Sequence, residues 1–366
     1  MATPIQLPII DISDPLNPAI GKDMLDAAIK YGFFYVHGKG SDFSADAVDS
    51  TFDLSKKFFA LPKEEKEKCR IRTDNRGWSG MHSEILDPEH QRTGDFKEAL
   101  NFGEFKDGKL QQPLPPALEP HEGDIQHFTN LCNKTAARVM RLLALGLEID
   151  PDFFVTRHDG SRGSTGCVLR FLYYPSINSP ASSSYQHDID VRAGAHSDYG
   201  TITLLFQRPG QPGLEILTAD GEWAPVPVWP DASTRGQGKD DFPPILINIG
   251  DMLSFWTNGL LKSTIHRVVF PLAERSSSTS SGENAKPQDR YSVVFFCHPL
   301  NDCNLVPPVP SRLVAAAAGE EASSQASSSR VGFGGGAGSL KERSSMTAKE
   351  YLDLRLSATY GQREEV

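Results

Sequence analysis

The sequence lacks any run of about 18 apolar residues, the length that a helix needs to cross the hydrocarbon core of a membrane. Its first residues, MATPIQLPIIDIS, also lack the basic segment and apolar stretch that are typical of a secretory signal. We therefore expect a chain that has no membrane partner and that is cytoplasmic.

Cysteine is scarce, and its arrangement excludes two classes of protein. The chain has five cysteines, an odd number, and no two of them form a CxxC pair. Neither a disulfide framework nor a thiolate-rich zinc site is expected from this pattern. Reduced thiols agree with a cytosolic compartment.

A surplus of basic residues is also absent. Lysine and arginine number 37 against 47 aspartates and glutamates, which gives a formal net charge of -10. Nucleic acid is bound through a basic surface, so we do not expect it as a partner. We expect a small-molecule substrate and no obligate protein partner.

The predicted secondary structure becomes mostly β-strand after about residue 150. Helical spacing predicts helices at Ala19–Tyr31, from a cap at Ser44 through Ala60, and at Pro120–Leu147. Short β-rich segments separated by turn residues follow, and they predict a sandwich or jelly roll. These segments are Val168–Tyr174, Thr201–Gln207, Leu214–Leu217, Ile245–Ile249, Met252–Trp256, His266–Phe270 and Tyr291–Cys297.

Three segments are expected to lie outside the core. Residues 63–68 are nearly all charged and are interpreted as a solvated surface turn. Residues 274–289 and 315–345 are rich in Ser, Gly and Ala and are expected to form mobile loops. A short terminal helix is predicted at Thr347–Thr359. Its apolar face consists of Tyr351, Leu352 and Leu356.

A candidate metal site begins at His196 and Asp198, which are two residues apart. In a strand, such residues point to the same face, so one imidazole and one carboxylate can reach the same cation. A site of two histidines and one carboxylate leaves positions open for substrate and oxygen, as iron(II) oxygen chemistry requires. His266, at the start of a later predicted strand, is the candidate for the second imidazole.

Other histidines compete for this role. His158, His187 and His298 are rivals of His266, and a lone histidine in a strand is more often a packed residue than a ligand. A second pattern of the same kind, at His82 and Glu84, lies in a loop-like region and is interpreted as chance. Spacing alone therefore leaves the choice of ligands open.

A candidate anion site lies at the start of the last strong strand. Arg290 and Ser292 share one face, and an arginine fork can bind a carboxylate through two hydrogen bonds. A surface ion pair is the alternative interpretation of Arg290. Arg170 and Tyr174 alternate on one face of another strand and could line the same pocket, although Tyr174 could equally be part of the core.

Several motifs in order resemble the isopenicillin N synthase-like family of 2-oxoglutarate- and Fe(II)-dependent dioxygenases, and the resemblance covers nearly the whole chain. The ordered set is far more specific than any one motif. It consists of Leu7–Asp11, Gly32–Val36, Phe58–Pro62, Tyr173–Pro175, Gly194–Asp198, Asn248–Asp251, Asn258–Gly259, Ser263–Val268 and Arg290–Ser292.

The resemblance implies a mainly β fold with flanking helices, built on a double-stranded β-helix, or jelly-roll, core. It also implies that the iron ligands are His196, Asp198 and His266. Fe(II) is the implied cofactor, with 2-oxoglutarate and O2 as co-substrates. We expect oxidation of a small organic molecule by hydroxylation, desaturation or ring closure, with secondary metabolism as one setting.

By the same resemblance, Arg290, Ser292 and Tyr174 bind 2-oxoglutarate. The sequence departs from the family at two places. Leu172 stands where the family often has asparagine, and a Ser-rich insertion lengthens the interval between His266 and Arg290. Neither departure removes a ligand, but the first leaves the pose of the keto acid open.

The substrate pocket is expected where the family has its variable segments. The candidates are Arg170, Arg76, Trp78, Met81, Lys97, Asn101 and Trp256. Three alternatives to a 2-oxoglutarate-dependent enzyme stay open. They are an iron oxidase of the same fold that does not use 2-oxoglutarate, a non-catalytic jelly-roll protein that binds small molecules, and a zinc hydrolase.

We expect one structural unit with three parts. Residues 1–118 form a mixed α/β region with a lid loop, and residues 119–310 form a helix and the jelly-roll catalytic core. Residues 311–366 form a flexible Gly/Ser/Ala-rich segment and the C-terminal helix.

Overall fold

A computed structural model describes residues 3–38, 41–187, 189–230, 242–271, 288–323 and 345–360. The strands are β1 (Ile9–Ile10), β2 (Phe33–Val36), β3 (Gly77–Ser79), β4 (Glu98–Phe102), β5 (Phe105–Lys106), β6 (Lys109–Leu110), β7 (Val168–Tyr174), β8 (Ala193–His196), β9 (Ile202–Gln207), β10 (Leu214–Leu217), β11 (Trp223–Pro225), β12 (Ile245–Ile249), β13 (His266–Val268) and β14 (Arg290–Cys297). The helices are α1 (Pro18–Lys30), α2 (Ala45–Phe59), α3 (Lys63–Glu67), α4 (Glu122–Gly146), α5 (Asp251–Trp256), α6 (Arg312–Ser323) and α7 (Ala348–Tyr360).

Two sheets form the centre of the fold. The larger has eight strands in the order β1-β2-β12-β9-β14-β7-β4-β3, and the smaller has four in the order β11-β10-β13-β8. Strands β5 and β6 pair separately. Strands from the N-terminal region, β1 to β4, belong to the same large sheet as β7, β9, β12 and β14. The β-rich core that the sequence predicts is therefore confirmed.

The register of these sheets brings the candidate site residues together. In the large sheet, β14 pairs with β7 so that Arg290 lies opposite Tyr174, and it pairs with β9 so that Ser292 lies opposite Gln207. In the small sheet, His266 of β13 lies opposite His196 of β8. Segments that are far apart in the chain thus become neighbours within one sheet.

The predicted helices are confirmed, with ends that differ by one or two residues. The side chain of Ser44 caps α2 by accepting a hydrogen bond from the backbone N–H of Ala47 at 3.2 Å. Helix α4 packs against α1, and Gly21 and Gly146 meet at the crossing. None of the described helices has the length and apolar character that a membrane crossing requires.

The strand expected at Met252–Trp256 is wrong, because this segment lies in α5. A short buried apolar run does not distinguish a helix from a strand by periodicity. Here Gly250 precedes the helix, and the backbone N–H groups of Asp251 and Met252 donate to the carbonyls of Asp198 and Gly200 at 2.7 Å and 3.1 Å. These bonds start the helix directly behind the candidate metal site.

Two expectations for surface segments also need correction. Residues 63–68 are not only a solvated turn, because α3 forms there and the buried Lys66 lies 2.8 Å from a carboxylate oxygen of Glu98. The expected loop at 315–345 begins as helix, since α6 extends to Ser323. Most of the 274–289 segment, and 324–344, lie outside the described residues.

The α1–α4 crossing gives a test of packing. A methyl group at Gly146 would approach the carbonyl oxygen of Gly21 to 2.4 Å, whereas one at Gly123, in the same helix, would meet nothing within 4 Å. We expect Gly146→Ala to lower the free energy of unfolding by about 1–3 kcal/mol. Gly123→Ala should leave it unchanged or raise it by up to about 1 kcal/mol. Urea denaturation followed by circular dichroism measures both, and equal effects would contradict the close crossing.

Candidate metal centre and adjoining cavities

Three side chains from the small sheet and the loop after it converge on one point. His196 ends β8, Asp198 follows two residues later, and His266 begins β13. The Oδ1 atom of Asp198 lies 3.8 Å from Nε2 of His196 and 3.7 Å from Nε2 of His266. One donor atom from each residue lies within 4.8 Å of the others, and the described ranges contain no second cluster of this kind.

Backbone carbonyls fix the orientation of both imidazoles. Nδ1 of His196 lies 2.7 Å from the carbonyl oxygen of Gly194, and Nδ1 of His266 lies 3.1 Å from that of Thr264. A carbonyl only accepts hydrogen bonds, so each Nδ1 must carry the proton. The Nε2 lone pairs are thereby directed towards the shared point, which is the arrangement expected of histidine ligands.

The carboxylate is held in the same way. Oδ2 of Asp198 accepts hydrogen bonds from Thr203 Oγ1 at 2.7 Å and from Asn248 Nδ2 at 2.8 Å, which leaves Oδ1 for the shared point. Burial acts against ionisation of Asp198, but the two histidines and these hydrogen bonds keep its pKa below the ordinary value. Burial and His266 lower the pKa of His196 to about 3. A neutral imidazole and an ionised carboxylate are the forms that bind a metal.

A second carboxylate, Asp251, joins the segments around the centre. Its oxygens accept hydrogen bonds from Ser197 at 3.0 Å and from Ser263 at 2.6 Å, and Arg355 of α7 lies 2.7 Å away. Ser197 stands between two of the converging residues, and Ser263 precedes the third by three positions. Asp251 thus connects both parts of the cluster to the C-terminal helix. The guanidinium of Arg355 also lies over the ring of Tyr199, 5.2 Å from its centroid.

Two cavities adjoin the cluster, and we name them the inner and the outer chamber. The inner chamber is a space of about 590 Å³, open solvent at its mouth included, and it is lined by both sheets as far as Arg290 and Ser292. The outer chamber is a similar space of about 580 Å³ that extends beneath α7. The residues that line both chambers are Leu86, Arg170, His196, Asp198 and Phe296.

The far end of the inner chamber contains a buried cation. Arg290 is 2% exposed, and its nitrogens lie 3.2 Å from the carbonyl of Gln211, 3.4 Å from Oγ of Ser292 and 3.5 Å from Oε1 of Gln207. Its guanidinium lies 4.9 Å from the ring centroid of Tyr174. Among the described residues, no carboxylate pairs with it. Burial lowers the pKa of Arg290, which is the cost of a cation without a counter-ion. An anionic ligand would compensate this cost.

The outer chamber is walled by residues that the sequence did not single out for a pocket. A methyl group on Gly166 would lie 2.8 Å from Leu352 and 3.2 Å from His298, so the glycine leaves room between them. Leu352 and Leu356 were expected to form the apolar face of the terminal helix, but not to face a cavity. The wall combines Asn75, Leu86, Gly166, Val168, Tyr199, Phe296, His298, Leu352 and Leu356.

Some of the expected substrate residues lie at these chambers. Arg170 lines both, and Lys97 lines the inner one. Asn101 is fully buried and reaches the site through Arg170, because its Oδ1 accepts a hydrogen bond from Nε at 2.6 Å. Leu172, where the family often has asparagine, lines the inner chamber.

Other expected residues lie elsewhere. Trp256 as a pocket residue is wrong, since it is 1% exposed and packs in the core against Phe153 and Phe154. Trp78 is also buried, and its Nε1 donates to Glu98 at 2.8 Å. Neither Arg76 nor Met81 lines either chamber.

The rival histidines have other surroundings. His158 is buried and lies 2.9 Å from Oγ1 of Thr201, and His187 is exposed. His298 lines the outer chamber but does not belong to the converging cluster. His82 lies against the carbonyl of Gly94 at 2.9 Å and is likewise outside the cluster.

Comparison with known proteins gives two family matches. Residues 7–122 match the N-terminal region of the non-haem dioxygenases in morphine synthesis. Residues 165–299 match the 2OG-Fe(II) oxygenase superfamily. The second match contains the converging cluster and the buried arginine of the inner chamber.

Individual relatives agree with these matches. A UPF0676 protein of Schizosaccharomyces pombe is 39% identical over 72% of this chain and 77% of its own length. A homoarginine-6-hydroxylase of Glycine max is 30% identical over 79% of this chain and 84% of its own length. A crystal structure of a full-length Neurospora crassa protein in complex with alpha-KG (2-oxoglutarate) has a TM-score of 0.71 and 28% identity. It covers 97% of this chain and 96% of that one. The same protein was also solved with alpha-KG and thymine.

The fold and the cofactors follow from these matches. The neighbours share the jelly-roll architecture, and alpha-KG is bound in the one solved with it. The cluster of two histidines and one aspartate has the donor chemistry of an open iron site. The chain therefore belongs to the 2OG-Fe(II) oxygenase superfamily and is an Fe(II)- and 2-oxoglutarate-dependent dioxygenase.

Proposed function

We propose that His196, Asp198 and His266 hold the Fe(II) of this dioxygenase. The observation that carries the proposal is the convergence of three oriented donor atoms in a cavity whose far end is a buried arginine without a carboxylate partner among the described residues. His196 and Asp198 line both chambers, so a ligand in either chamber could reach an ion held by the cluster. This arrangement supports an oxygenase more than a closed structural metal site.

The inner chamber is the proposed site of 2-oxoglutarate. Arg290 and Ser292 would bind its distal carboxylate, with Tyr174 beside the guanidinium. The apolar wall between this end and the cluster, which includes Leu205 and Val268, would contact the two methylene groups. A charge-assisted pair in this dry site would replace the uncompensated charge of the arginine.

The outer chamber is the proposed site of the oxidised substrate, a small organic molecule. Bound Fe(II) and 2-oxoglutarate supply the O2-dependent oxidation of a C–H bond, with formation of succinate and carbon dioxide. The names of the relatives support hydroxylation of a small molecule, since one is a homoarginine hydroxylase and another was solved with thymine. The chain's own contribution is to orient the substrate, to exclude water through its apolar wall, and to hold the metal ligands in their binding forms.

Removal of the aspartate tests the metal site. We expect Asp198→Ala to lose Fe(II) and all 2-oxoglutarate turnover, because the remaining two imidazoles lack the charged ligand. The iron content after anaerobic loading and desalting, together with succinate formation, measures this. His187→Ala removes an exposed histidine and should bind iron as the wild type does. Full iron retention in Asp198→Ala would refute the assignment.

Removal of the arginine tests the inner chamber. We expect Arg290→Met to raise the half-saturating 2-oxoglutarate concentration by about 10- to 100-fold, because a charge-assisted contact of about 1.5–3 kcal/mol is lost. Succinate release at increasing 2-oxoglutarate concentration provides the value. Arg141→Met, which removes a surface pair with Asp152, is the matched control. If the two variants have the same half-saturating concentration, Arg290 does not bind the keto acid.

A further inference from the structure

The outer chamber has an apolar wall with very few charged groups. Apart from the proposed iron ligands, the ionisable side chains that line it are Arg170, Tyr199 and His298. Burial lowers the pKa of His298 to about 4, so this imidazole is neutral. Arg170 is therefore the charged group that the described part of the chain presents to a substrate there.

Arg170 belongs to a row of buried charges. Its Nη1 lies 3.6 Å from Glu84, which lies 3.1 Å from Lys97, which in turn pairs with Asp95. All four side chains are at most 11% exposed. Burial acts against ionisation of Glu84, but Lys97 and Arg170 lower its pKa to about 2. Charges of alternating sign thus stabilise one another, and the member of the row that lines the outer chamber is positive.

The position of Arg170 is fixed as well as its charge. Besides Glu84, its Nε donates to Oδ1 of Asn101 at 2.6 Å, and Asn101 is itself held through hydrogen bonds to Asn75. The guanidinium also lies 5.4 Å from the ring centroid of Phe296, a wall residue of both chambers. A cation held on three sides next to the metal site suits recognition of a substrate group more than a surface role.

A carboxylate that could receive a cationic substrate is absent from the described wall. Glu84 does not line the chamber, and it is already shared between Arg170 and Lys97. Asp198 is the proposed iron ligand. A positively charged substrate would therefore lie beside a guanidinium with no carboxylate partner among the described wall residues, which opposes its binding.

We propose that the outer chamber takes a compact substrate with an apolar body and a carbonyl or carboxylate oxygen that faces Arg170, and that Arg170 determines this specificity. The inference rests on the proposed function, because it assumes that the outer chamber is the substrate site. Cationic substrates are rejected. Of the two molecules named above, thymine has such carbonyl groups and no charge, whereas homoarginine has a carboxylate but also a cationic guanidino group. In homoarginine, carbon 6 is bonded to the guanidino group, so oxidation at that carbon would place a cation beside Arg170.

Three probe molecules of nearly the same shape but different charge show whether charge or shape determines binding in the outer chamber. Benzamide is neutral, benzoate is anionic and benzamidine is cationic, and each has a planar apolar ring. Their dissociation constants are measured by anaerobic calorimetry on the enzyme loaded with Fe(II) and saturating 2-oxoglutarate, which keeps benzoate out of the inner chamber. We expect benzamide and benzoate to bind at least ten times more tightly than benzamidine, because hydrogen bonds to a charged donor are lost in the cation.

Two substitutions test whether the wall of the outer chamber causes this difference between the dissociation constants. Arg170→Met should reduce the preference for benzamide and benzoate to less than threefold. Leu356→Glu, at a partly exposed position of α7 that lines the chamber, should add a carboxylate to the wall and make benzamidine the tightest of the three. Leu354→Glu introduces the same charge on the exposed side of α7, where Leu354 is 42% exposed, and should change nothing.

The outcomes are decisive in either direction. Equal or tighter binding of benzamidine by the wild type, or absence of binding by all three probes, overturns the proposal, as does an unchanged preference in both Arg170→Met and Leu356→Glu. Because Arg170 is buried in an ion-pair network, Arg170→Met could fail to fold, and Leu356→Glu then decides. Iron content and the half-saturating 2-oxoglutarate concentration are measured on the same samples. If these are normal, a negative result concerns the substrate site alone and leaves the proposed iron and 2-oxoglutarate sites intact.

Discussion

The arrangement of this site depends on the hydrogen bonds and the ion pair that the Asp251 carboxylate forms. It is fully buried and connects three segments that are remote in the sequence, through Ser197, Ser263 and Arg355. Its backbone N–H also donates to the carbonyl of Asp198 at 2.7 Å. Burial raises the pKa of Asp251, whereas Arg355 and the two hydroxyls act in the opposite direction. The carboxylate of Asp251 therefore joins the segment that contains Asp198 to α7, which forms part of the wall of the outer chamber.

The two arginines of the site illustrate two ways of burying a cation. Arg290 has no carboxylate partner among the described residues, so under our proposal the distal carboxylate of 2-oxoglutarate would compensate its charge during each turnover. Arg170 has a permanent partner in Glu84, and a row of further charges supports it. The ion pair with Glu84 fixes the position of the Arg170 guanidinium. It also weakens the attraction between this guanidinium and a ligand. Tight binding of the co-substrate and discrimination among substrates are thus assigned to different residues.

The parts of the site that the sequence predicted are those with a local pattern. His196 and Asp198, or Arg290 and Ser292, stand two residues apart, and in both pairs the residue types match the ligand that we propose for them. The outer chamber has no such pattern, since its wall comes from segments as distant as Asn75 and Leu352. The error at Met252–Trp256 arose because a short, mostly apolar run of five residues fits either a strand or a helix. The fold class followed from the many short strands and the order of the motifs, whereas contacts such as Lys66 with Glu98 depend on tertiary packing.

The position of α7 in the chain has a consequence for biosynthesis. A ribosome releases the triad of ligands and the strands of both sheets well before it releases Arg355 and Leu356. During that interval the nascent chain can form its sheets, while the carboxylate of Asp251 still lacks its guanidinium partner and the outer chamber is open on the side of the helix. The part of the wall that Leu352 and Leu356 contribute is therefore added only after the proposed iron ligands have left the ribosome.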